Sequence, residues 1–176
     1  MKQLLTALFA ATLLLCPEAR AADLNQHPFF KHLIGEWEAE GELKNENNES
    51  VTVTETWTGR VDAEDTFSIE GSRTVNGDTQ KFTWTYTRNA ATDSYEAILS
   101  GGDGQPLRFE SSLTEEPLSL TLKAITGNGS GSITVEDSFA DEGKDKDTLT
   151  SKVTFTGDQG QTTLQGTITH KKKKAP

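Results

Sequence analysis

From Ile34 to the end of the chain, apolar and polar residues alternate with a period of two, in short runs separated by Gly, Asn and Asp. Side chains of an extended strand point to opposite faces in turn, so this pattern predicts half-buried strands and leaves almost no room for helical periodicity. The first run is the clearest, with Trp37, Ala39, Gly41 and Leu43 on one face and Glu36, Glu38, Glu40, Glu42 and Lys44 on the other. Nine more runs follow: Val51–Trp57, Phe67–Val75, Phe82–Arg88, Tyr95–Leu99, Leu107–Leu113, Leu118–Leu122, Ile133–Phe139, Leu149–Phe155 and Leu164–His170. Reversal signals separate them at Asn76-Gly77 and in the Gly-rich stretches 101–104, 127–131 and 157–160, so consecutive strands should pair antiparallel. An open sheet of ten strands would expose two edges. Closure into an up-and-down barrel removes them, with a two-sheet sandwich as the structural rival. The expected fold is therefore all-β, an antiparallel up-and-down barrel of about ten strands over residues 34–170. A short helical lead-in over 22–33, containing Pro28, Phe29, Phe30 and Leu33, should plug one barrel end.

Residues 1–21 read as a secretory signal peptide, with Lys2 as the positive start, Leu4 to Cys16 as the apolar stretch and Ala19-Arg20-Ala21 as a small-x-small cleavage site. Thirteen apolar residues are too few for a spanning helix, which needs about 20. Leu15 before Cys16 and Pro17 after it do not suit a lipoprotein signal. The expected destination is the periplasm or the extracellular space. Cleavage there would remove the one cysteine, excluding thiol chemistry and disulfides from the mature chain. It would leave 15 basic against 26 acidic side chains, with four of the basic ones in the tail 171–176 at Lys171 to Lys174. A surface so acidic repels nucleic acid, which needs a basic stripe on the fold itself. The stretch Asp141 to Asp147 alternates acid with lysine and lacks the regular oxygen-ligand spacing of a calcium loop.

The segment His27-Pro-Phe-Phe-Lys-His-Leu-Ile-Gly-Glu-Trp-Glu-Ala-Glu-Gly41 resembles the start of calycin-type barrels, in which a short helix leads to a Gly-x-Trp opening the first strand. Here that motif is Gly35-Glu36-Trp37. It is most similar to the secreted bacterial DUF1579 group, whose members often begin with Leu-x-Gly-x-Trp-x-x-x-Gly. Trp84-Thr-Tyr86-Thr-Arg88-Asn-Ala-Ala-Thr-Asp-Ser-Tyr95 resembles that group's strand, turn and Tyr-containing strand. A lipocalin proper would carry Thr-Asp-Tyr and a late arginine packed over the first tryptophan. This chain has Thr92-Asp93-Ser94 and ends its last run at His170-Lys171. The resemblance implies a calycin-like barrel with a ligand cavity and lends no activity.

Polar residues on the inward face carry the functional expectation: Glu55, Arg73, Tyr86, Arg88, Tyr95, Asp137 and His170. Buried charge is costly unless paired, so these groups either bridge one another, Arg73 and Arg88 with Glu55 and Asp137, or line a wet cavity. In the second case Arg88, with Tyr86 two residues earlier, would hold the carboxylate of an amphipathic ligand whose apolar part lies among Trp37, Trp57, Phe67 and Trp84. The function expected is non-catalytic binding of a small apolar or amphipathic molecule. The alternative is a structural or interaction module with a packed interior, and a cavity of about 300 Å³ or more would favour binding. His170 is a weak candidate for a haem ligand, and no other cofactor is expected. Enzyme chemistry lacks a motif: Gly127-Asn-Gly-Ser-Gly131 has glycine where a nucleophile elbow needs serine, and His27 and His32 have no metal-ligand spacing. Glu55 and Asp137 could do acid and base work only if they approach each other.

Overall fold

One short helix and ten strands follow one another in a meander: α1 (Pro28–Leu33), β1 (Gly35–Asn45), β2 (Ser50–Ala63), β3 (Thr66–Val75), β4 (Asp78–Asn89), β5 (Ser94–Gly101), β6 (Leu107–Glu115), β7 (Leu118–Ile125), β8 (Ser132–Phe139), β9 (Thr148–Thr156) and β10 (Thr162–Lys172). The computed structural model describes residues 24–89, 94–102, 104–125, 131–139 and 147–174. The signal peptide expected at 1–21, most of the Gly-rich stretch 127–131, the tripeptide's Thr92 and Asp93, and acidic residues 141–146 lie outside the described residues.

Every strand pairs antiparallel with its neighbour in sequence, and β1 also pairs with β10, from Trp37 opposite Lys172 to Asn45 opposite Leu164. That last pairing closes the barrel and rules out the sandwich. The burial of β1 follows the alternation: Trp37, Ala39 and Leu43 are buried and the four glutamates between and beside them are exposed. At the β3–β4 reversal, Asn76 and Gly77 both adopt positive φ, 49° and 95°, as the tight hairpin turn requires. The final strand runs two residues beyond the expected boundary. Lys171 and Lys172 pair with Glu38 and Trp37, so they belong to the barrel and not to a tail.

The lead-in is helical only from Pro28, and it does close one end of the barrel. His27 caps it, its Nδ1 accepting a hydrogen bond from the Phe29 N–H at 3.2 Å, and Pro28 suits the first turn. Phe29, Phe30 and Leu33 are fully or almost fully buried. Phe30 meets Phe67 and Tyr86 at ring-centroid distances of 5.3 and 5.4 Å, and Phe29 meets Phe139 at 5.4 Å. Gly59 makes the docking possible, since a Cβ there would lie 2.3 Å from the Leu33 carbonyl oxygen. Gly35, at φ 119°, then turns the chain from helix into strand, and the Trp37 indole N–H donates back to that same carbonyl at 3.1 Å. The Gly-x-Trp motif is therefore the hinge and the latch of the plug. Lys172 completes it: its ammonium sits 5.5 Å from the Trp37 ring centroid and donates to the His32 carbonyl. The cation over the first tryptophan is present as lysine, two residues beyond His170.

Candidate ligand-binding lumen

Above the plug the barrel is hollow. A cavity of about 260 Å³, just under the size expected for a binding barrel, extends toward the end opposite α1. Half-buried Val51, Val75, Leu107, Phe155 and Leu164 lie around that mouth. The lining is mostly apolar throughout, and its polar groups are concentrated on one side. Strands β4 to β7 contribute Phe82, Trp84, Tyr86, Leu99, Leu107, Phe109 and Leu122, a wall that is apolar and aromatic apart from the tyrosine hydroxyl. The other six strands, adjacent around the ring in the order β3, β2, β1, β10, β9 and β8, carry Arg73, Glu55, Ala39, His170, Ser151 and Asp137. Ala39 stands directly across from both Glu55 and His170, and its single methyl leaves those longer side chains room.

At one end of this polar belt Arg73 Nε donates to Glu55 Oε1 at 2.5 Å. Glu55 is almost wholly buried, while Arg73 is about one-third exposed at the mouth with its guanidinium 4.9 Å from the Phe82 ring centroid. One of the expected internal bridges is thus present. The other is replaced by a directional hydrogen-bond chain. Trp57 Nε1 lies 3.1 Å from His170 Nδ1, and an indole N–H can only donate, so Nδ1 is the unprotonated nitrogen of a neutral imidazole. His170 Nε2–H then donates to Ser151 Oγ at 2.9 Å, and the Ser151 hydroxyl donates to Asp137 Oδ1 at 2.5 Å. Each proton in the chain points toward Asp137.

Burial sets the protonation states along this chain. Desolvation, aided by the nearby Glu55 charge, pushes Asp137 up to about 7 against the pull of the Ser151 hydrogen bond. His170 is pushed down to about 4, chiefly by burial, so it is neutral at pH 7 as its hydrogen bonds require. The Tyr86 hydroxyl is held well above its ordinary range by burial and by the Asp137 and Glu55 charges, and it stays protonated. Asp137, Ser151 and His170 are the residue types of a nucleophilic triad in the wrong order. The serine lies between the other two and gives its proton to the carboxylate, while the imidazole donates to the serine and so cannot serve as its base. The same chain occupies both nitrogens of His170 and leaves neither for iron. Among the described residues no cluster of three His, Cys, Asp or Glu could hold a metal ion.

Seven of the residues singled out in the sequence line the cavity: Glu55, Trp57, Arg73, Trp84, Tyr86, Asp137 and His170. Three others, and Phe67, do not. Trp37 stacks beneath Trp57, ring centroids 5.1 Å apart and planes 10° from parallel, and belongs to the plug. Phe67 packs on Phe30, and Tyr95 lies beside His27 and Phe30. Arg88 stands opposite Tyr95 near the helix end of β4 and is not part of the lining, so the expected carboxylate anchor does not face the cavity. Its strand reaches the plug before Arg88 is passed, whereas Arg73 on β3 sits near the mouth. Ser151 was not singled out. Its signal is slight, one hydroxyl in the inward row Leu149, Ser151, Val153 and Phe155. Trp57→Phe strands His170 Nδ1 without its donor and leaves a small void where the indole's second ring lay, with an expected loss of about 2–4 kcal/mol in urea unfolding. An unchanged midpoint would show that neither this hydrogen bond nor the packing of the indole contributes to stability.

No family model matches the chain, and no curated protein matches it. The DUF1579 likeness drawn from the Gly-x-Trp segment therefore has no family match behind it. Solved structures do match. The S-type phycobiliprotein lyase CPES from Guillardia theta superposes with a TM-score of 0.58 at 10% identity, over 84% of this chain and 92% of that one. Rv2717c from M. tuberculosis gives 0.54 at 10% identity, over 84% and 99%. At such identities the likeness is one of fold, a closed antiparallel ten-stranded β-barrel.

Proposed function

We propose that this protein binds a small, mostly apolar molecule in the barrel lumen, and that it does so without transforming it. The single observation that carries the reading is an apolar, aromatic-rich cavity whose polar groups are gathered in one belt. Interiors are normally filled to crystal-like density, and a void of this size forgoes packing energy that an occupant would restore. The aromatic wall supplies apolar contact and the belt fixes orientation, the usual division of labour in small-molecule sites. Pairing of Glu55 with Arg73 fits a structural role as well, but a packed-shut interaction module would have no such cavity. That one structural neighbour is a phycobiliprotein lyase is compatible with a barrel that receives a small molecule. The proposal includes export, resting on the signal-like residues 1–21. Native mass spectrometry of protein purified from its source cells should show an added mass of a few hundred daltons that disappears on denaturation. A chain that is always bare, at every charge state and from every growth phase, would contradict the proposal.

A further inference from the structure

We infer that the lumen selects ligands presenting a hydrogen-bond donor, above all a cationic amine, to Asp137, and rejects carboxylates. The inference rests on the lumen being a ligand site and goes on to name the ligand's polar group.

Three observations carry it. The hydrogen-bond chain is one-way: Trp57, His170 and Ser151 each pass a proton toward the next group, and Asp137 is the terminal acceptor. Among the described residues the Ser151 hydroxyl is the only side chain bonded to the Asp137 carboxyl, which is more than nine-tenths buried and lines the cavity. An ionised carboxylate accepts at two oxygens, about four lone-pair sites, so most of its capacity faces the lumen unused. The charge balance points the same way. Glu55 and Arg73 neutralise each other, His170 is neutral, and among the described residues Asp137 makes no ion pair. A donor, and best a cation, supplies what this site lacks.

The groups that face the site from the surrounding strands are Glu55 of β2, Arg73 of β3, Tyr86 of β4, Ser151 of β9 and His170 of β10. Among the described residues Arg73 is the one cation in the lining, and Glu55, which holds its Nε at the mouth, offsets its charge there. A ligand carboxylate would have to compete with Glu55 for the Arg73 guanidinium or lie beside the Asp137 carboxylate, and either arrangement costs affinity. Tyr86 can both donate and accept, so it orients a ligand without deciding its charge.

Three probes with the same naphthalene body test this by calorimetry at pH 8: 1-naphthylmethylamine, 1-naphthylmethanol and 1-naphthoate. The amine should bind at least about tenfold more tightly than the carboxylate, with the alcohol between them. Asp137→Asn keeps an oxygen for Ser151 and should bring the amine to within about threefold of the alcohol. For the unaltered protein, lowering the pH from 8 to 5 should weaken the amine several-fold as Asp137 takes up a proton, while the amine itself stays charged. Equal binding of amine and carboxylate, tighter carboxylate binding, or an amine advantage that survives both Asp137→Asn and pH 5 would overturn the inference and leave the lumen as a ligand site. Failure of all three probes to bind would overturn the lumen reading and the inference with it.

Discussion

Asp137→Asn is expected to stabilise the barrel at pH 8 by on the order of 3 kcal/mol and to change it little at pH 4. The carboxyl has a folded-state value of about 7 against an ordinary 3.8, so between those limits the folded protein binds more protons than the unfolded chain. Stability tied to this group is complete below about pH 3.8 and is lost as the pH rises through 7, when a charge must be held in a desolvated lumen. Asparagine preserves the acceptor for Ser151 and abolishes the charge. His170 runs in the opposite direction. Its folded-state value of about 4, against 6.5, means that stability is lost as the pH falls from 6.5 toward 4, because the unfolded chain takes up a proton that the fold refuses. In the unaltered protein the two slopes largely cancel over that interval, and stability should be nearly flat. In Asp137→Asn the histidine slope stands alone, and urea midpoints should fall steadily below pH 6.5. Parallel pH profiles for the two proteins would remove the account of the polar belt. The same substitution is expected to impair recognition of an amine, so here a group that costs stability is the group that serves binding.

Phe30→Ala should be the most damaging single change in the plug, with an expected loss of about 3–5 kcal/mol. Phe30 has no exposed surface, and its ring meets those of His27, Phe29, Phe67, Tyr86 and Tyr95 within 6.2 Å. Its removal leaves a hole between the helix and β3, β4 and β5, whose ladder cannot collapse to fill it. Thermal unfolding should shift down by on the order of 10 °C. Phe155→Ala at the half-buried mouth gives the comparison and should cost clearly less, since one side of that ring already faces open space. An equal loss at both positions would mean that the helix is not what closes the barrel.

The alternation made most of the fold legible. It gave the number of strands, their inward faces and the Asn76-Gly77 turn, because period two and turn chemistry are both local properties. It also put Glu55, Arg73, Tyr86, Asp137 and His170 on the inside. Height inside the barrel was not legible, since it depends on the stagger of strands around the ring. Arg73 and Arg88 look alike in the sequence, each at or next to the end of an inward row, yet one sits at the mouth and the other beside the plug. The pairing of Trp57 with His170 spans 113 positions and exists only because β1 joins β2 to β10. Ser151 could be seen to face inward, but nothing local distinguishes a hydroxyl that completes a chain from one that merely tolerates burial. Lys172 is not legible as a strand residue, because nothing in the run Lys171 to Lys174 alternates to mark where pairing with β1 ends.

The central claim, an occupiable lumen, is tested most directly by titrating the protein with N-phenyl-1-naphthylamine, a neutral apolar fluorophore, beside a variant that fills the mouth. Val153 lines the cavity and is only half-buried, so Val153→Phe adds volume there without forcing a packed core apart. The account predicts a saturable, one-to-one rise in fluorescence for the unaltered protein and an affinity at least about tenfold weaker for Val153→Phe. No saturable signal, or the same signal from both proteins, would contradict it.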